Sequence, residues 1–210
     1  MTLICLSGID GSGKTTHALE IVSCLQKSGK KCRYVWFGAP YFLSYPFMVI
    51  CRMLGLTETR YLSNRLIFSE HQYHRNRPVA LVWPWIQLMD LALFVFMQVY
   101  MSLLFGFAVV CDRFIYDILV EIMVDVDDEE LHHKRIGQLI LHLKPRSAIV
   151  FLIDVDEMTA FERKCDVPDL KYLTRRRNDF RLIAESQNIP ILNANQPFFL
   201  VHKEIINVLL

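Results

Sequence analysis

Gly8-Ile9-Asp10-Gly11-Ser12-Gly13-Lys14-Thr15 fits the pattern G-x-x-x-x-G-K-[ST], and the rest of the chain is read outward from it. An apolar run, Leu3–Leu6, precedes it. Ala18, Leu19, Val22 and Leu25 follow at helical spacing. Strand, glycine turn and helix in that order make an anion cradle. Glycines let backbone N–H groups curl around phosphate oxygens, and the helix N-terminus adds positive potential. Gly8, Gly11, Ser12, Gly13 and Thr16 are expected to wrap a nucleotide's phosphates. Lys14 is expected to reach the β- and γ-phosphates, and Thr15 to hold Mg2+ through its hydroxyl. Asp10 lies inside the loop, where a carboxylate repels phosphate. Two readings stand: a turn-stabilising residue, or a group turned toward a second substrate.

Short apolar runs at Leu3–Leu6, Tyr34–Phe37, Ala108–Cys111, Ala148–Ile153 and Pro190–Leu192 read as strands. Helical patterns fill Lys14–Gln26, parts of Pro40–Arg77, Pro84–Leu104, Glu129–Leu143, Leu170–Ser186 and Pro197–Leu210. Such alternation predicts an α/β fold with a buried parallel sheet and a site at the strands' carboxyl ends. The 210 residues suit one domain. A formal charge of +1 argues against a nucleic-acid surface, which needs clustered Lys and Arg. Six scattered cysteines without a C-x-x-C pair suggest a reducing cytoplasm. The N-terminus reads as a strand, not a signal segment. Leu91–Cys111 carries no charge and is long enough to span a bilayer. The expectation is a buried helix, a break at Gly106 and a core strand, with Asp90 and Gln98 opposing a membrane span.

Asp112 follows the apolar run Val109–Cys111, where a second Mg2+-organising carboxylate belongs. Arg113 beside it offers a planar fork for an acceptor phosphate, and Asp117 is a further candidate for the acceptor site. Trp83, Gln87 and Asp90 fall on nearly one face of a helix expected to start at Pro84. Plate, amide and carboxylate suit a base or sugar; the rival reading makes Asp90 a cap or the partner of a buried arginine. Further on, Asp156 is expected to cap a helix Glu157–Arg163. Arg163 and Arg175–Arg177 then flank an irregular stretch, Cys165–Asp169. Consecutive helical residues point apart, so only one or two of the three arginines are expected to face phosphates. His71 and His74, and His132 and His133, read as solvated helix residues.

These motifs together resemble the thymidylate kinase family. The run Gly8–Thr16, the motif Cys111-Asp112-Arg113-Phe114, the stretch Ile149–Arg163, the helix Tyr172–Ala184 and the end Ile189–Leu210 carry the resemblance. It implies a three-layer P-loop NTPase fold with a five-stranded parallel sheet. It implies ATP with Mg2+ as donor and a nucleoside monophosphate, dTMP foremost, as acceptor. Asp10 would contact the acceptor sugar, Arg113 its phosphate and Lys14 the ATP. Arg163 would serve from a lid over about 157–174, with Arg175 and Arg177 favoured just after it and Arg176 salt-bridged outside; the region about 38–105 would bind the acceptor, and apolar helices would form a homodimer. Two departures stand out. Val35–Pro40 lacks the arginine the family carries after its second strand. The family's base-stacking aromatic and base-reading arginine have two candidate places, Leu66–Gln72 with Phe68 and Trp83–Asp90, neither with that arginine. A sugar or lipid-linked alcohol is therefore the alternative acceptor, and a nucleotide-dependent switch the third reading.

Overall fold

The computed structural model describes residues 2–38, 42–62, 65–164 and 168–209, with stretches 59–62 and 65–68 described by backbone alone. In chain order the first elements are β1 (Leu3–Ser7), α1 (Lys14–Lys27), β2 (Cys32–Trp36) and α2 (Ser44–Met53). A hairpin, β3 (Thr57–Leu62) and β4 (Arg65–His71), leads to α3 (Arg77–Phe94) and α4 (Met101–Leu104). Next come β5 (Ala108–Asp112), α5 (Ile115–Val126), α6 (Arg135–His142) and β6 (Ala148–Asp154). The chain closes through α7 (Glu157–Arg163), α8 (Leu170–Ser186), β7 (Ile191–Asn193) and α9 (Phe198–Leu209).

Five strands form one parallel sheet in the order β2-β5-β1-β6-β7, flanked by helices. Every residue of β1 is buried, as a strand covered on both faces requires. Register sets the site: Leu6 pairs with Asp112, Ser7 with Leu152 and Trp36 with Asp112. Asp112 therefore stands level with the end of β1, where the glycine loop leaves the sheet.

Two expectations on elements change. Residues 57–71, within a stretch expected to be helical in parts and not read as strands, form the antiparallel hairpin β3–β4, irregular between Arg60 and Tyr61. Thr57, Thr59, Tyr61, Ile67 and Phe68 are strand formers, and their preference prevails over the loose helical spacing. The helix expected at Pro84 starts earlier, at Arg77. Asn76 caps it by accepting from the Val79 N–H at 3.3 Å, and Pro78 sits in the first turn, where no N–H is missed. Pro84 thus lies inside the helix and removes one of its hydrogen bonds.

Helical structure runs unbroken from Arg77 to Leu104, through a π-helical stretch at 95–100. Arg33 of β2 fastens that stretch, donating to Ser102 Oγ at 2.9 Å and Gln98 Oε1 at 2.8 Å. Leu91, Val95, Val99 and Leu103 bury at four-residue intervals. Leu81, Trp85, Met89, Leu93, Phe96 and Leu104 face outward, so only 39% of the most apolar window is buried. A single helix buries one stripe against a sheet, and here the opposite stripe is also uncharged.

Asp90, on the inner side of α3, caps α2 from a distance. Its carboxylate accepts from the N–H groups of Phe42 (3.1 Å), Leu43 (2.8 Å) and Ser44 (2.9 Å), and from the Ser44 hydroxyl. Four donors on one buried carboxylate satisfy the orphan N–H groups at the start of α2. Asp90→Ala strands them, and unfolding free energy is expected to fall by about 2–3 kcal/mol. Amide hydrogen exchange is expected to rise first over 42–53; a loss confined to α5 would contradict this.

Candidate functional site

The glycine loop closes where only glycine fits. At Gly8 (φ +146°) an added Cβ would lie 2.4 Å from the Ile153 carbonyl oxygen. At Gly11 (φ +83°) it would lie 2.4 Å from that of Ala160. Lys14 turns back into the loop, its Nζ donating to the carbonyls of Gly8 (2.6 Å) and Ile9 (2.7 Å). Burial, then the Arg113 charge, push its pKa down to about 8. Thr15 Oγ1 donates to Asp112 Oδ2 at 2.6 Å, and the Tyr34 hydroxyl donates to the same oxygen at 2.8 Å. The other carboxylate oxygen, Oδ1, is buried and unpartnered among the described residues. A threonine hydroxyl beside an uncommitted buried carboxylate oxygen is a hard, all-oxygen donor pair of the kind Mg2+ takes.

A second cluster lies across the loop. The chain turns sharply after β5, and Arg113 adopts a left-handed backbone, φ +68°. That conformation is costly for a side-chain-bearing residue. It aims the Arg113 guanidinium back at Asp10, with which it makes a close ion pair. Lys164 Nζ stands 3.3 Å from the same carboxylate oxygen. Burial alone would raise the Asp10 pKa, but Arg113, Lys14 and Lys164 outweigh it and hold the group well below the usual carboxylate range. Asp117 Oδ2 accepts from the Phe114 N–H at 2.9 Å, and burial raises its pKa. Asp10, Lys14, Thr15, Arg113, Arg163 and Lys164 line one cavity of about 450 Å³ at the carboxyl ends of β1 and β5.

The fold is that of a thymidylate kinase. The crystal structure of thymidylate kinase from Ehrlichia chaffeensis matches with a TM-score of 0.60 at 19% sequence identity, over 100% of this chain and 99% of that one. No family model matches the chain, and no curated protein matches it by sequence.

Within that thymidylate kinase fold, one residue that sequence reading passed over joins the cavity. Trp36 ends β2, is 60% exposed and lines the same space. Its ring lies across Gly38, where a Cβ would approach to 2.2 Å. An aromatic at the carboxyl end of a sheet strand, followed two residues on by glycine, was the available signal. Thr16 lines this cavity and also a second one of about 230 Å³, beside Gly11, Arg163 and Phe198. A larger concavity, about 830 Å³, lies around Arg175 and Asp179 of α8 and holds none of the loop residues.

Other expected residues are held elsewhere. Trp83 is buried, stacks on Phe47 with ring centroids 5.8 Å apart, and donates to Asp125 Oδ2 at 3.0 Å. It is a packed side chain, not an open plate. Gln87 is buried beside it in a narrow pocket with His71, Glu121 and Asp125, its Oε1 unpartnered among the described residues. Asp90 spends its carboxylate on α2. Phe68 falls on β4 opposite Arg60, and its side chain lies outside the described residues. Arg175 turns to Asp127, 2.6 Å away, and not to the glycine loop. Arg177 forks onto Asp154 at 2.7 and 2.9 Å and reaches Glu157 at 3.0 Å. Arg176, expected to pair outside, turns inward instead. It is nearly buried, lies 4.5 Å over the Tyr172 ring and 4.0 Å from Glu121, and helps depress the Asp10 pKa. Successive residues rotate about 100° around a helix, and α8 presents 176 to the interior. Of the irregular stretch Cys165–Asp169, residues 165–167 lie outside the described residues.

Burial raises the Asp125 pKa well above its ordinary value, with Glu121 adding to it. The folded chain therefore holds a proton that the unfolded chain releases above its own carboxylate pKa, so this group costs stability as pH rises from there. Asp125→Asn keeps a neutral acceptor for Trp83 at every pH. It is expected to be more stable than the parent at pH 8 by about 1–2 kcal/mol, with the gap closing below pH 4. Urea melts at both pH values check this, and a gap that widens on acidification contradicts it.

Proposed function

We propose that this chain is an ATP- and Mg2+-dependent phosphotransferase that moves the γ-phosphoryl group to a nucleoside monophosphate, dTMP foremost. One observation carries the reading. The Thr15–Asp112 contact and the Asp10–Arg113 pair converge with Lys14 on one cavity at the carboxyl ends of β1 and β5. The residues fit both implied groups. Gly8 and Gly11 let the loop turn tightly against the Ile153 and Ala160 carbonyls, as a backbone phosphate cradle requires, and Thr15 with Oδ1 of Asp112, unpartnered among the described residues, suits Mg2+.

Mg2+, when bound, neutralises charge on the transferring phosphoryl group and its leaving oxygen. The chain's own groups do the rest. Lys14 exchanges the Gly8 and Ile9 carbonyls for phosphate oxygens. Arg113 leaves or shares Asp10 to fork onto the acceptor phosphate, and Asp10 accepts from an acceptor sugar hydroxyl. Arg163 and Lys164, at the cavity rim, bring positive charge to the equatorial oxygens. A loose transition state needs this positioning and charge more than a strong base. The chain would work as one unit, with an acceptor region over about 38–105, a lid over about 157–174 and small-molecule substrates in a cytoplasm. The outer stripe of α3 offers a surface for a homodimer.

A second reading keeps the donor site and changes the acceptor to a sugar or lipid-linked alcohol. Two observations favour it. Gln87 stands beside the buried Trp83 where a base-reading cation is expected, and Asp117, Glu121 and Asp125 line one side of α5 at four-residue steps.

ADP release from ATP and Mg2+, with dTMP, dUMP, dCMP, AMP or no acceptor, tests the reading. Stimulation by dTMP that disappears in Lys14→Ala is expected. ATP binding with no stimulation by any monophosphate would overturn the monophosphate acceptor and move the search to sugars and lipid-linked alcohols. Donor affinity is also expected to fall as pH rises through about 8, where Lys14 loses its proton. Lys14→Arg keeps its charge there, so a fall of equal size in that variant would remove Lys14 as the cause.

A further inference from the structure

Away from the glycine loop, α1 and α9 bring three metal-binding side chains to one point. Glu20 and Cys24 stand four residues apart on one face of α1. His202 meets them from α9. A carboxylate oxygen, the thiol sulfur and an imidazole nitrogen all lie within 4.8 Å of one another. Donors around a four-coordinate Zn2+ stand roughly 3.5 Å apart, given bonds of 2.0–2.3 Å. Small side-chain rotations close that difference, because both helices are already in place.

The imidazole is preset. The His202 ring stacks on Phe198 with centroids 5.6 Å apart and on His17 at 5.8 Å, with interplanar angles of 9° and 11°. Its Nδ1 is buried and unpartnered among the described residues. Cys24 is a free thiol, and Glu20 is exposed, which leaves an ion a path from solvent. Thiolate with imidazole and carboxylate selects a borderline cation. Mg2+ and Ca2+ take oxygen shells instead.

We propose that Glu20, Cys24 and His202 form a Zn2+-class site that clips α9 onto α1, with water in the fourth position. The clip has a mechanical use. Only Val201 and Ile205 of α9 are fully buried, so the helix has little apolar anchorage of its own. Thr16 and His17 from α1 and Phe198 and Val201 from α9 line the cavity of about 230 Å³ beside Gly11 and Gly13. Fixing α9 fixes that wall. Metal binding itself does not depend on the proposed phosphotransfer; only an effect on donor affinity rests on that reading.

Titration of the reduced, metal-free full chain with Co2+ alone tests the site. One Co2+ per chain is expected, with a thiolate charge-transfer band and the strong visible bands of a four-coordinate ion, displaced by Zn2+. Cys24→Ser is expected to lose the charge-transfer band. His202→Ala and the surface change Glu20→Gln are each expected to weaken binding roughly tenfold or more. Zn2+ is expected to raise the Tm of the parent and not that of His202→Ala, as a ligand of the native state must. Lys14→Ala is expected to bind Co2+ like the parent, whatever its ADP release, so failure of the metal site and failure of the kinase reading remain distinguishable. No thiolate band, a band that survives in Cys24→Ser, or unchanged affinity in both His202→Ala and Glu20→Gln overturns the proposal.

Discussion

β1 is paired on both edges and covered on both faces, and the rest of the structure depends on that confinement. A strand with no solvent face must be apolar from end to end, as Leu3–Leu6 is. When the chain leaves it, the next N–H groups have no strand partner and must bend tightly to enter α1. Gly8 and Gly11 make the bend possible against the Ile153 and Ala160 carbonyls. The same bend turns a row of N–H groups and a helix N-terminus toward one space. Strand burial and the anion cradle are thus two consequences of one packing constraint.

Charge is concentrated in that space to an extent the neutral chain does not advertise. Asp10, Asp117, Lys14, Arg113 and Arg176 are all substantially buried and lie near one another. Each would be costly alone and is tolerable only within the network. Arg113 and Lys14 hold Asp10 ionised, while burial favours the neutral form of Asp117. The left-handed backbone at Arg113 belongs to the same account, since it is what turns the guanidinium toward Asp10.

The long helix from Arg77 to Leu104 works differently on its two sides. Inward, it carries Trp83 and Asp90, which serve packing and the cap of α2. Outward, it presents an uncharged stripe, and the helix as a whole reaches a mean hydropathy of 1.8 over its most apolar window. Sequence periodicity shows that both sides are apolar but not which one the sheet covers, because both carry similar residues. That ambiguity explains why Leu91–Cys111, expected as a buried helix and core strand, also has the length and composition of a membrane segment.

The local chemistry was legible in the sequence by itself. All five sheet strands, the glycine loop, the Asp112-Arg113 step and the cap at Asp156 are set by short-range patterns: apolar runs, glycines that alone fit left-handed backbone, and side-chain oxygens beside free N–H groups. Partner choice was decided only by the tertiary structure. Asp90 went to α2, Trp83 to Asp125, Arg177 to Asp154, and Arg176 turned inward where Arg175 and Arg177 were expected. Trp36 reached the cavity and Cys24 met His202 only because β2 pairs with β5 and α9 returns across α1. The reason is range. A residue's backbone preference depends on neighbours a few positions away, whereas the partner of a buried charge or ring is whichever group the folded chain brings within a few ångströms, and in these pairs that group lies 23 to 178 positions distant.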